Sequence, residues 1–458
     1  MGDVDAAVRE AWAAAGGDPA ELAAVRCTGP AHALPSAFRV TDVAAASIAA
    51  AALAGAGLWA DRNGEALPEV AVDRRHAAIA CRSERHVAAE APLDWPDPVT
   101  GDHRTVDGWA RVHAVYPHHR AAALAVLGAG EDRSEVAAAV ARWEAERLEA
   151  AVVAAGGVAA ALRPAAAWAA HPHGSTVRAL PLLAVERTGG GPPRPLPPAE
   201  RPLAGVRVLD LTRVIAGPTA TKWLAALGAD VLRVEPPGYR EVPVLAVDTG
   251  FGKRATALDL RAPGDRAAFD RLVAGADVLV AGLRPGALDG LGYGPARVAA
   301  LAPGLVTARL SAWGGTGPWR DRRGFDSLVQ TASGIADAGR AAAGADHPVP
   351  LPCQLLDHAT AYLLALGACA ALRRRAGEGG SWAVTASLAR TGAWLADLGP
   401  ADALGAAEPT AAEVAAVTAT AATAWGATTH VRPAASIAGV PVRWDRPPPA
   451  GAASPPAW

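Results

Sequence analysis

The chain has 458 residues, 51% of them hydrophobic, and 43 basic against 45 acidic side chains give a net charge of −2. That length buries more than one core and calls for two or more domains. The balanced charge gives no electrostatic case for a nucleic-acid or membrane-surface partner. Lys222 and Lys253 are the only lysines, so arginine carries the positive charge. Cys27, Cys81, Cys353 and Cys369 are scattered without C-x-x-C spacing and read as reduced, buried thiols of a cytoplasmic protein. The twelve histidines form no metal-ligand spacing, and no metal is expected.

The opening run MGDVDAAVREAW carries acids and no apolar core, and does not read as a signal peptide. Residues 1–35 predict one or two short helices, with turns at Gly16-Gly17 and Gly29-Pro30. Asp42 then precedes an alanine-rich helix to about Ala60, a turn at Asn63-Gly64 and a strand ending near Val72. Glycine breaks the apolar run Val43–Ala60, which reads as a packed helix and not a membrane span. Residues 93–186 read as a small α+β domain, with a strand over Thr105–Val115 and helices over Arg120–Leu127 and Ser134–Ala155. Residues 187–202 are a Pro/Gly linker.

From 203 to 398 strands alternate with helices, the signature of a parallel, doubly wound Rossmann-like sheet. The stretch Arg201–Gly238 reads strand, loop, helix, strand. The helix runs from about Thr219 to Leu227, and Asp230–Glu235 forms the second strand. Further strands are expected at Thr256–Leu260, Asp277–Ala281 and Leu305–Leu310, and helices at Ala262–Ala274 and Ala359–Leu372. Residues 399–458, rich in alanine and proline, are expected to pack loosely. A helix N-terminus following the first strand welcomes anionic phosphate, although no G-x-G-x-x-G is present.

The same stretch, RPLAGVRVLDLTRVIAGPTATKWLAALGADVLRVEPPG, closely resembles the opening signature of the family III CoA-transferases, the CaiB/BaiF family. Here that signature begins only at Arg201. The segments TVDGWARVH, RWEAERLEAAVVAAGGVAAALRPAAAW and AAHPHG resemble the family's small domain, which overhangs the active-site cleft. The resemblance implies the family III fold, with coenzyme A or acyl-CoA and a carboxylic acid as substrates, and no nucleic acid or membrane as partner. It implies a CoA site built from Arg213, Val214, Ala216, Gly217 and Pro218, then Glu235, Pro236 and Gly238, then Lys253, Arg254, Arg284, Pro285 and Gly286. Arginine pairs bidentately with phosphate, which suits Arg213 and Arg284 to that task. The family's Glu-Asn before the Arg-Pro-Gly turn is Ala281-Gly282 here.

Asp357, in PCQLLDHATAY, reads from position alone as a helix N-cap. By resemblance it is the nucleophile that attacks an acyl-CoA carbonyl, forming an aspartyl anhydride and then an aspartyl-CoA thioester. Asp42 is the rival, because Asp42, a helix, a glycine turn and Val70/Val72 repeat the spacing of Asp357, a helix, the Gly379-Gly380 turn and Val384. This reads as an internal duplication in which residues 1–92 are a partial transferase repeat. The family's interlocked homodimer is then either built from two chains or satisfied within one. Two other readings stay open. One is a non-catalytic CoA-binding homologue or partner subunit. The other is an acyl-CoA racemase on the same fold, against which Phe325 stands, since it occupies the place of a proton-shuttling histidine, although His358 beside Asp357 leaves a small opening.

Overall fold

In a computed structural model, residues 3–458 are described. Seven strands form the main sheet, in the order Lys253–Ala257, Asp230–Glu235, Arg207–Leu211, Val278–Ala281, Val306–Ser311, Ser381–Ser387 and Ala184–Gly189. The first six are parallel and the last is antiparallel. Val208, Leu209, Val278, Leu279 and Val280 are buried because helices or apolar loops cover both faces, as parallel pairing requires. The expected α/β architecture is therefore observed. The strand foreseen at Thr256–Leu260 lies three residues earlier, at Lys253–Ala257.

Two helices of 24 residues each, Val40–Asn63 and Leu355–Glu378, pack on one another at the centre of the largest core. Each is long and apolar enough to cross a membrane, and each is 94% buried in protein across that stretch. Alanine and glycine on their faces let the backbones come close. The pair share further geometry. The preceding residues, Arg39 and Gln354, have φ/ψ of −76/53 and −78/60, and Asp42 and Asp357 are both third residues of their helices. Gly64 and Gly379 close the two helices at φ 67 and 72. Each helix leads to a strand, Val70–Asp73 or Ser381–Ser387, whose last residue caps a following helix.

The small domain has its own core, in which Val112, Leu127, Val136, Leu148 and Val152 are buried. Its expected single strand is a hairpin, Gly101–Arg104 with Trp109–Val112. Its expected long helix is two, Arg133–Val140 and Ala145–Ala154. The break has a physical cause. Asp107, in the hairpin turn, accepts from Ala145 N (2.9 Å), and Val106 N donates to Trp143 O (3.0 Å). That pair of bonds caps a new helix where periodicity alone would continue the old one.

The C-terminal segment does not pack loosely. Ile437 pairs with Val70, Ala403 with Ser36, and Val431, Ala434 and Ile437 are buried in the main core. Trp444 Nε1 donates to Lys222 O and Trp458 Nε1 to Leu272 O, each at 2.9 Å. Tryptophan anchors of this kind bind a proline-rich strap that apolar periodicity does not reveal.

The linker is likewise held. Its first residues complete the edge strand Ala184–Gly189, and Arg62 then collects the carbonyls of Pro197 (2.7 Å), Arg201 (3.2 Å), Pro202 (2.9 Å) and Ala204 (3.1 Å). One guanidinium thus ties the end of the helix Val40–Asn63 to the entry of the sheet. Arg62→Ala leaves several half-buried carbonyls without a donor and should cost about 3 kcal/mol, with Arg62→Lys recovering less than half. Urea unfolding midpoints of the three chains measure this.

Candidate functional site

The strand order reverses between Arg207–Leu211 and Val278–Ala281, and the loops leaving these strands part there. Ligands of open α/β sheets bind at that crevice. A cavity of about 220 Å³ lies at it, lined by Arg213, Val214 and Ala216 from the first loop and by Gly282, Leu283, Arg284 and Pro285 from the second. Asp357 and Phe325 close its floor, and the small domain overhangs it with Tyr116, His118 and His119.

The first loop is shaped by a buried carboxylate. Asp210 is fully buried and accepts from Thr212 N (2.9 Å), Thr212 Oγ1 (2.5 Å), Thr221 Oγ1 (2.6 Å) and Lys253 Nζ (3.0 Å). Gly217 is required where the loop turns into its helix, because a Cβ there would lie 2.4 Å from Thr212 Cβ. Earlier in the loop Val214 has φ +70, the one non-glycine residue with positive φ among those described. A β-branched residue there is strained by about 1–3 kcal/mol. The strain is held by Glu241, which accepts from Val214 N (2.9 Å), Tyr239 OH (2.9 Å) and Tyr116 OH (2.6 Å), joining the loop to the small domain.

Asp357 lies in the first turn of its helix, so it is not the N-cap; Gln354 is. Its carboxylate has no hydrogen bond to any described residue, while its backbone N–H donates to Asp326 Oδ2 (2.9 Å). Burial, then Asp326 and Glu84, push its carboxyl well above the usual range. Asp326, fully enclosed, is itself pushed up to about 6 by burial. The cavity pairs this acid with cations. Arg213 and Arg284 have no carboxylate partner among the described residues; Arg213 stacks 4.3 Å from the Tyr239 ring centre. Arg323 donates to Gly156 O, and Arg322 pairs with Glu149. His119 is buried with both ring nitrogens unpartnered, and burial lowers it to about 3, so it faces the cavity as a neutral imidazole.

The sequence-derived site thus divides. Arg213, Val214, Ala216, Arg284, Pro285 and Asp357 line one cavity; Gly286, at φ 75, lines the adjoining one. Gly217 and Pro218 lie buried in the helix behind the loop. Glu235 is buried against Arg233 (2.8 Å), and Pro236 and Gly238 form the exposed turn after it, outside either cavity. Lys253 and Arg254 do not reach the cavity. Lys253 is buried under the sheet, where its ammonium donates to Asp210 and to Pro218 O (2.8 Å). Arg254 pairs with Asp230 (2.8 Å) at the sheet edge. Asp42 is buried beside Arg39 (3.6 Å) and lines none of the cavities around Asp357. His358 points away from the cavity to Glu84 (3.2 Å), and Phe325 stacks on His113 with ring centres 3.8 Å apart. Neither offers the proton shuttle a racemase needs. Sequence reasoning passed over Tyr116, His119, Glu241, Glu84 and Asp326. Of these only the Tyr116–His119 cluster is conspicuous in the sequence, and its partners are more than a hundred residues away.

Residues 203–429 match the model of a family described as CoA-transferase family III. Over 199 residues the chain is 38% identical to succinyl-CoA–D-citramalate CoA-transferase of Chloroflexus aurantiacus, a match covering 39% of this chain and 48% of that protein. It is 36% identical over 200 residues to acetyl-coenzyme A transferase nodX of Hypoxylon pulicicidum, covering 43% and 34% respectively. The matches thus span about half or less of these relatives' own length. Among solved structures, Rv3272 of Mycobacterium tuberculosis aligns with a TM-score of 0.40 at 34% identity, over 43% of this chain and 55% of that one.

Two outcomes follow from the burial of these groups. Removing the ammonium in Lys253→Ala leaves Asp210 charged and unpaired in the core, at a cost of roughly 3–5 kcal/mol by urea unfolding. Asp357 and Asp326 hold their protons more tightly folded than unfolded. The stability they contribute is therefore present below about pH 4 and is lost as pH rises through their raised native values. Asp357→Asn should melt higher than the parent chain at pH 8, with the gap closing toward pH 4, in thermal scans across pH.

Proposed function

We propose that this chain, whose residues 203–429 belong to CoA-transferase family III, moves CoA between carboxylic acids with Asp357 as nucleophile. The observation that carries the reading is a carboxylate without hydrogen bonds, buried at the switch-point cavity and faced by Arg213 and Arg284. An ionised carboxylate stripped of solvent and set near two other acids is high in energy, and attack on a thioester carbonyl relieves its charge. The attack expels CoA thiolate and leaves a mixed anhydride on Asp357. The thiolate then attacks the aspartyl carbonyl, releasing the first acid and forming an aspartyl-CoA thioester. An incoming carboxylate attacks that thioester to give a second anhydride, and the thiolate takes the new acyl group, restoring Asp357. Arg213 and Arg284 suit the CoA phosphates and diphosphate. His119, neutral and unpartnered, is suited to donate to the oxyanion that forms as the carbonyl is attacked.

The parallel between the two long helices supports reading residues 1–92 as a partial second copy. On that reading, Asp42 is a remnant, held against Arg39 where Asp357 is held open.

Incubation with acetyl-CoA, succinyl-CoA and longer acyl-CoAs, followed by hydroxylamine, should place a hydroxamate on Asp357. Exchange should fall by on the order of a thousandfold or more in Asp357→Ala. The acylation rate should climb with pH past the ordinary carboxylate range, because only ionised Asp357 attacks. A label on Asp42 would reverse the choice of active half. CoA binding by calorimetry with no label would favour a non-catalytic binding protein.

A further inference from the structure

A second and larger cavity, about 510 Å³, adjoins the first and shares with it the wall Leu283, Arg284, Pro285, Leu310 and Ser311. It lies over the outgoing ends of three neighbouring strands. The register sets Ala281, Arg309 and Thr385 side by side on one face, with Ala184 next in the row. Arg309 is thus the one long side chain in a row of small ones, which leaves open space around its guanidinium. Glu186 and Asp289 also line the chamber, yet no ion pair joins either of them to Arg309 or Arg284 among the described residues. Leu180, Pro181, Leu288 and Leu310 give the chamber an apolar side, while Ser311, Thr316, Thr385 and Ser387 add hydroxyls to the lining. The far side is closed by the Gly314–Thr316 turn, where a Cβ on Gly314 would lie 2.6 Å from Leu180 Cδ1.

We infer that this chamber is a binding site for the free carboxylic acid, with Arg309 holding the carboxylate and the leucine-lined side holding an aliphatic tail. The inference rests on the acyl-exchange reading for its role, because that reaction releases one acid and admits another at Asp357. The chemistry is that of the chamber itself. An arginine without an acidic partner favours an anion, the leucine-lined side favours a hydrocarbon attached to it, and the volume exceeds that of the Asp357 cavity. The shared wall places the held acid next to the aspartyl thioester, so the chamber serves as the antechamber through which acids come and go.

Calorimetric titration of the full chain with hexanoate and with succinate measures this without turnover. Arg309→Gln should weaken hexanoate binding roughly tenfold or more, with CoA binding unchanged and the melting temperature kept. Hexanoate binding that Arg309→Gln leaves intact, or absent from the parent chain at saturating acid, would overturn the inference. Loss of CoA affinity in Arg309→Gln would also overturn it, by assigning the chamber to CoA. Acid binding that depends on Arg309 in a chain without exchange supports the chamber and counts against the transferase reading. Exchange whose acid KM ignores Arg309 does the reverse.

Discussion

The buried carboxylate of Asp210 is the constraint on which the site depends. It lies inside the sheet with no solvent exposure, and four donors converge on it from a loop, a helix and the strand next but one. Burying an ion pair yields little net stability, since desolvation offsets most of the attraction. What it gives is direction. An apolar residue at this place would let the Thr212 loop take several paths, whereas Asp210 accepts from both the N–H and the hydroxyl of Thr212 and so allows one. That path runs into the Val214 strain, and Glu241 then secures the strained turn from the other side. Arg213 and Val214 face the cavity as the outcome of these two carboxylates acting in sequence.

Asp357 is governed by the opposite logic. Asp210 is stabilised by every donor within reach; Asp357 is denied them. Its backbone N–H is taken up by Asp326, its side chain has no partner, and its neighbours in charge are acids. The cost falls on stability at neutral pH; under the proposed transferase function the gain falls on reactivity, as expected where a fold stores free energy at a reacting group. The arginines of the cavity do not undo this. Arg213 is stacked on Tyr239, Arg322 is paired with Glu149, and Arg323 is bound to a backbone carbonyl. Under the proposed function they serve an incoming anion.

The sheet and its helices were legible in the sequence because buried parallel strands are short apolar runs bounded by turns, as in Val206–Leu211 and Val278–Ala281. The residues of the Arg213 and Arg284 loops were legible through the family resemblance, which implies CoA-binding loops after those strands. Lys253 was legible as important but not as structural. Its partner Asp210 lies 43 residues earlier and meets it across the intervening strand Asp230–Glu235. The hairpin turn that splits the small-domain helix, and the tryptophans that strap the C-terminal segment to the sheet, are likewise tertiary contacts. Periodicity carries no record of them. The N-cap reading of Asp357 failed by three residues, a small error in sequence with a large chemical consequence. A capping carboxylate is tied to backbone N–H groups, and this one is left unbound.

The N-terminal block reaches the surroundings of Asp357 as well as the core. Glu84 comes from a short turn at Ser83–His86, well outside the region that carries the family match, yet it is one of the two acids that raise Asp357. It holds His358 through a ring nitrogen at 3.2 Å, which keeps that histidine turned from the cavity. Its neighbour Ser83 bonds Asp248 (2.8 Å), and Asp248 holds Lys222 (3.0 Å) on the helix that follows the Thr212 loop. The block therefore meets the active region at two places, once through the charge on Asp357 and once through the helix that aims Arg213. A chain lacking residues 1–92 would lose the helix partner of Leu355–Glu378 and one of the two acids that raise Asp357. For this fold the extra length is part of the site.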